Sequence, residues 1–192
     1  MLHLKDITRK DLLFIRDSKS LEELASSSES VCETLYHFIK SKSPTPCIIA
    51  AYWAINSELN LKCLIKKLHS ENYQIMLPVV IKSQQPLAFA VWTPDTFFEI
   101  NKFGISEPIS PLVELIPDIV LVPMVGYTND KHRIGYGGGF YDRTLGRWNS
   151  KNINPIKIGI SWADCVVPKD IDLQVEPHDV PMDFIATEKE IF

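Results

Sequence analysis

The sequence predicts an α/β domain built on a largely parallel sheet with helices on both faces. Three observations carry this expectation. An extended amphipathic helical pattern lies near the amino terminus, a strand, helix, strand succession runs between residues 47 and 80, and several later apolar runs are short and lack alternation, as strands covered on both faces require. No internal repeat, low-complexity tract or linker-like change of composition divides the 192 residues, so one unit spanning 1–192 is expected.

Taken in order, residues 5–16 carry a weak apolar pattern, but Lys5, Arg9 and Arg16 are four and seven residues apart and predict a short basic helix face. Residues 20–42 place Leu21, Leu24, Ala25, Val31, Leu35, Phe38 and Ile39 at helical spacing, with Ser20 and Glu23 positioned for a capping box. After Pro46, residues 47–54 form a continuous apolar run that reads as a buried strand. Residues 58–70 return to helical spacing through Leu61, Leu64, Ile65 and Leu68, and residues 74–80 read as a strand, completing a β-α-β unit. Further strands are expected at 87–92, 118–123, 157–161 and 184–187, and a helix at 140–148. Sheets of this kind bind ligands at the carboxyl ends of their strands.

Charge excludes some partners. Lys and Arg total 20 against 24 Asp and Glu, a net charge of −4, which gives no general attraction to nucleic acid or to an anionic membrane. Any phosphate site must be built locally. Residues 1–11 are too charged for a secretory signal, and no apolar run approaches the roughly 20 residues that span a bilayer. Cys32, Cys47, Cys63 and Cys165 form no C-x-x-C pair and lie among apolar residues, so reduced, buried thiols in a cytoplasmic protein are expected. Oligomeric state is left open, with a monomer slightly favoured.

The chemistry concentrates in Arg133-Ile134-Gly135-Tyr136-Gly137-Gly138-Gly139-Phe140-Tyr141-Asp142-Arg143, which follows the apolar strand at 118–123 and opens a helix. The glycines let backbone amides approach a ligand without intervening side chains, and the helix start adds free N–H groups and a positive dipole end. A phosphate is the natural occupant. The string is not a Walker A loop, since no Gly-Lys-Ser/Thr closes it, and Phe140 breaks G-x-G-x-x-G. Arg133 before the glycines and Tyr141, Asp142 and Arg143 after them add cations, an aromatic plane and a metal-binding carboxylate. A plain surface turn would need none of these.

These residues closely resemble the 5-formyltetrahydrofolate cyclo-ligase family, whose pattern is an aspartate-led apolar strand ending in Val-Pro and then Arg-Leu-Gly-x-Gly-x-Gly-Tyr-Tyr-Asp-Arg. Asp118 to Pro123 and Arg133 to Arg143 fit it, with Ile134 for leucine and Phe140 for the first tyrosine. The likeness extends to Lys5, Arg9 and Arg16, to residues 52–58, to Phe103-Gly104-Ile105-Ser106-Glu107-Pro108 and to His178-Asp179. It implies a three-layer α/β/α architecture similar to the sugar-phosphate isomerase and CoA-transferase-like folds. It also implies ATP- and Mg²⁺-dependent closure of a ring on 5-formyltetrahydrofolate.

Residue by residue, the resemblance implies that Lys5, Arg9, Arg133 and Tyr141 carry catalysis, and that Lys5, Arg9, and residues Arg133, Ile134, Gly135, Tyr136, Gly137, Gly138, Gly139, Phe140 and Tyr141 hold ATP. Trp53, Glu58 and Tyr136 to Phe140 would meet the folate, and Asp142 and Asp179 the Mg²⁺. A carboxylate such as Glu58 suits the pterin's amino and ring N–H donors. Trp92, Trp148 and Trp162 are expected to pack. Two other readings stand beside this one. The chain could keep a folate or nucleotide pocket without turnover, or belong to a sugar-phosphate isomerase or CoA-transferase relative, since fold does not fix function.

Overall fold

The computed structural model describes residues 4–43, 45–168 and 179–192, the side chains of residues 4–8 excepted. Two helices open the chain, α1 (Leu4–Asp17) and α2 (Leu21–Lys42). The predicted capping box at the start of α2 is present. Ser20 Oγ accepts from the Glu23 amide at 3.1 Å, and the Glu23 carboxylate accepts from the Ser20 amide at 2.9 Å. Val31, Leu35 and Ile39, on one stripe of α2, are fully buried.

The β-α-β unit follows as β1 (Ile48–Ala50), α3 (Lys62–Ser70) and β2 (Gln74–Val79), with β1 and β2 parallel. Next come β3 (Ala88–Trp92), a hairpin of β4 (Phe98–Ile100) and β5 (Ser106–Pro108), and β6 (Leu112–Val113). The chain continues through β7 (Ile119–Pro123), the short pair β8 (Gly126–Tyr127) and β9 (Arg133–Ile134), α4 (Phe140–Ser150), β10 (Ile156–Ile160) and β11 (Phe184–Ala186).

The seven-stranded sheet has the order β11-β10-β7-β1-β2-β3-β6. It is parallel from β11 through β2, with β3 and β6 added antiparallel at one edge. Alternate residues separate its two faces. Ile49, Ile75, Leu77, Ile119 and Leu121 join Leu12 of α1 and the apolar stripes of α2 and α3 in one core. Their neighbours Ala50, Met76, Val120 and Val122 face the other way and pack with Leu145 of α4, Phe89 and Met182. Burial on both faces explains why these strands read as continuous apolar runs.

Three expectations needed correction. The strand predicted over 47–54 leaves the sheet after Ala50, and the helix expected from 58 begins at Lys62. Between them the chain turns, with the Glu58 amide donating to Ile55 O at 3.1 Å and the Glu58 carboxylate accepting from the Ile55 amide at 2.9 Å. Glu58 is thus held in a turn rather than exposed on a first helical turn. The thiols also divide: Cys32, Cys47 and Cys165 are buried, whereas Cys63 is exposed. All four are free, and burial pushes Cys32 and Cys47 up to about 11 and Cys165 to about 12.

Candidate active site

A cavity of about 570 Å³ lies where β1, β2 and β7 end, between the turn after β1 and the glycine loop. Tyr52 and Trp53 follow β1, Pro78 and Val80 close β2, and Pro123 ends β7, so the cavity occupies the carboxyl edge of the parallel strands. The β4–β5 hairpin contributes Phe103, Ile105 and Glu107 to one wall. Glu107 is buried and accepts from the Val80 amide at 2.7 Å, which ties the hairpin to the end of β2.

The glycine loop joins β9 to α4. Gly137 and Gly139 have φ of +89° and +64°, conformations that side-chain-bearing residues rarely adopt, and Gly139 is the N-cap of α4. Among the described residues, the amides of Gly137, Gly138 and Gly139 donate to no backbone carbonyl. Free amides on a loop that opens a helix suit an anion. Arg9 crosses from α1 to this loop, its Nε donating to the Gly135 carbonyl at 2.7 Å, and its guanidinium lies 3.5 Å from where a Cβ at Gly137 would stand. Arg143 Nη2 donates to the Gly138 carbonyl at 2.6 Å and its guanidinium lies over the Phe140 ring.

Arg133 is ion-paired with Asp142, and its other terminal nitrogen is buried with no hydrogen-bond partner. A buried guanidinium nitrogen without a protein acceptor is a ready donor for an anion. Asp142 sits in the first turn of α4 and Asp179 lines the same cavity. Among the described residues no three acidic, histidine or cysteine side chains cluster as a self-sufficient metal cage. Two carboxylates beside a phosphate-sized loop still fit Mg²⁺, which commonly takes one or two carboxylates and completes its shell with phosphate oxygens and water.

At the other end of the cavity, Glu58 is 6% exposed. Its Oε1 accepts from the Tyr136 hydroxyl at 2.6 Å, and that hydroxyl accepts from Arg16 Nη1 at 2.5 Å. Arg16 also donates from Nε to Ser57 Oγ at 2.8 Å. Burial raises the Glu58 carboxyl above its ordinary range, while Tyr136, the Ile55 amide and Arg16 pull it back. Burial, and then the Glu58 charge, raise the Tyr136 and Tyr141 phenols well above their ordinary value. Trp53 stacks on Phe98 at 4.4 Å with Lys62 over its ring at 4.6 Å.

The structure therefore brings Arg9, Trp53, Glu58, Arg133 to Asp142 and Asp179 around one cavity. The Lys5 side chain and His178 lie outside the described residues. Sequence reasoning left the burial of Arg16 unread: the residue belongs to the basic face of α1 and is 1% exposed beneath Tyr136. The signal was available: Leu12, also buried, lies between Arg9 and Arg16 on the same face of α1. It also gave no role to the wall formed by Phe103, Ile105 and Glu107.

Comparison with known proteins agrees with this geometry. The chain matches the model of the 5-formyltetrahydrofolate cyclo-ligase family over residues 3–188. It belongs to that family. A 5-formyltetrahydrofolate cyclo-ligase from Haemophilus influenzae is 32% identical over 181 residues, covering 91% of this chain and 92% of the relative. One from Escherichia coli K12 is 28% identical over 149 residues, 75% and 79% of the two chains. Among solved structures, a 5,10-methenyltetrahydrofolate synthetase from Mycoplasma pneumoniae superposes with a TM-score of 0.77 at 25% identity, covering 96% of this chain and 98% of that one. The Aquifex aeolicus 5,10-methenyltetrahydrofolate synthetase gives 0.74 at 27% identity, with 98% and 92% covered. The cyclo-ligase fold, mixed α/β with a mostly parallel central sheet, is thus shared with the Mycoplasma pneumoniae structure over 96% of this chain.

Proposed function

We propose that this protein is a ligase that uses ATP to convert 5-formyltetrahydrofolate into 5,10-methenyltetrahydrofolate, releasing ADP and phosphate, and that residues 1–192 act as one unit. The observation that carries this reading is the convergence, in a member of the cyclo-ligase family, of a buried recognition carboxylate and an anion-suited loop on one cavity. Glu58 stands at one end and the loop from Arg133 to Asp142 at the other.

The chemical difficulty is the formyl oxygen, which leaves poorly from an amide carbon when N10 attacks. Transfer of the ATP γ-phosphoryl group to that oxygen breaks the bond to ADP and makes the oxygen part of a phosphate leaving group. N10 then bonds to the formyl carbon and loses its proton, and phosphate departs with the oxygen. Such transfers depend on positioning and on neutralising phosphate charge. Arg9, Arg133 and the free amides of the glycine loop supply fixed positive potential, and Lys5 is assigned with them. Tyr141 lines the same cavity, and its hydroxyl is assigned to donate to developing charge.

Mg²⁺, held by Asp142 and Asp179, would screen the phosphates. Residues Ile134 to Tyr141 hold the nucleotide, and Trp53, Glu58 and Tyr136 to Phe140 meet the folate. No described helix is long and apolar enough to cross a membrane, in keeping with work on small soluble metabolites in the cytoplasm. Mixing purified protein with 5-formyltetrahydrofolate and Mg·ATP and following the methenyl chromophore tests substrate, nucleotide and reaction together. Binding of both ligands without chromophore would indicate a binding protein instead.

A further inference from the structure

We propose that Tyr136 is an internal stand-in for the folate, whose hydroxyl occupies the Glu58 carboxylate until the ligand displaces it, so that this residue sets how tightly the site takes its substrate. The inference rests on the reading of Glu58 as the carboxylate that recognises the folate ring.

A recognition carboxylate has to be reached by its ligand, yet Glu58 is 6% exposed beside a cavity of about 570 Å³. Two groups donate to it. The Ile55 amide, on Oε2, belongs to the same tight turn as Glu58 and is fixed by it. The Tyr136 hydroxyl, on Oε1, comes from a different element and is carried on a residue that is 40% exposed and lines the cavity. Tyr136 also lies between Gly135 and Gly137, the latter at φ +89°, where backbone rotation meets little steric resistance. Of the two, Tyr136 is the one that can leave.

The chemistry of the exchange is matched. A phenol presents one O–H to a carboxylate oxygen, as a ring N–H or exocyclic amine of a pterin would present an N–H. A buried carboxylate left without a donor is costly, and Tyr136 meets that need when the site is empty. Arg16 strengthens the arrangement. It is 1% exposed, donates to the Tyr136 oxygen and lies 5.2 Å from the ring centroid, so the hydroxyl is held from below while it donates to Glu58. Every folate that binds must break this contact before its own donors gain, and that work is subtracted from its affinity.

Tyr136→Phe keeps the ring and removes the hydroxyl. Calorimetric titration with 5-formyltetrahydrofolate, without nucleotide, should show the variant binding about threefold or more tighter than the parent, because the empty state has lost its substitute donor. Thermal unfolding of the free variant should fall below the parent, with the gap narrowing when folate is saturating. Equal or weaker folate affinity in the variant would overturn the proposal, since a hydroxyl that helps hold the substrate must cost affinity when removed. Should the variant fail to fold, the parent alone decides: its observed binding rate should level off at high folate as loop opening becomes limiting, and a rate that rises linearly throughout overturns the idea. Failure of the parent itself to bind 5-formyltetrahydrofolate would instead remove the functional reading beneath it.

Discussion

Glu58→Gln keeps the shape of the turn after β1 and removes the charge that the folate's N–H donors would meet. The expected loss is roughly 1.5–3 kcal/mol of folate affinity, with nucleotide affinity nearly unchanged because the glycine loop's cations and amides are untouched. Calorimetric titration of each ligand separately reads both halves of that expectation. Acidity should act on the same atom. Burial holds the folded-state Glu58 carboxyl above its ordinary value, so protonation, which removes the charge and turns one acceptor oxygen into a donor, sets in at a higher pH than for an exposed glutamate. Folate affinity should fall as pH drops through that raised value, and a titration series toward acid should locate the inflection above the ordinary carboxylate range. The stability effect has the opposite sense: ionised Glu58 costs the fold something, and the cost is relieved as pH falls through the same value. Which residues meet here was only half legible in the sequence. Glu58 and Tyr136 are both singled out by the resemblance, but nothing local says that a side chain 78 positions away will donate to that carboxylate. The burial of Arg16 is not plainly legible either, because a guanidinium is normally solvated. It is buried here because a hydroxyl of Tyr136 and another of Ser57 wait for its donors.

At the scale of the element, the glycine loop divides its labour unevenly. Gly137, at φ +89°, is a position where any side chain is strained, and a Cβ there would stand 3.5 Å from the Arg9 guanidinium, at ordinary contact distance, so that a larger side chain would crowd it. Gly137→Val should abolish ATP binding while the protein keeps a cooperative unfolding transition, lowered by about 1–3 kcal/mol of backbone strain. Titration with Mg·ATP and thermal unfolding of one sample check the two parts. Gly138 is different, since its backbone is unremarkable and a Cβ there would press on the Phe140 ring at 3.0 Å. From sequence the glycines look equivalent, because φ is a property of the folded loop. Other elements show the same boundary between what pattern reveals and what it does not. The long helix α2, with its capping box, and strands β2, β7 and β10 follow from spacing and apolar runs. The hairpin β4–β5 and the pair β8–β9 are two or three residues per strand, too short to carry a period, and each strand pairs with its neighbour in sequence. The early ends of β1 and late start of α3 come from the turn that presents Glu58, a departure from local preference at the place where the site is built.

For the molecule as a whole, turnover should require both ATP and a divalent cation, since the amide oxygen must be made a leaving group and the phosphate charge screened. Chelation should stop methenyl formation, and added Mg²⁺ should restore it; full activity after thorough chelation would contradict the scheme. The architecture that brings these groups together also has a kinetic side. Arg9 reaches Gly135 across 126 positions of chain, and Arg16 reaches Tyr136 across 120. Contacts closed over such separations form late, after the entropy of ordering everything between them has been met. A partly folded chain therefore possesses no version of the cavity for a ligand to recognise. Folate or nucleotide added during refolding should leave the refolding rate as it was, and should act wholly by slowing escape from the finished fold, so that the ligand serves as a latch on the completed molecule and never as a template for making it.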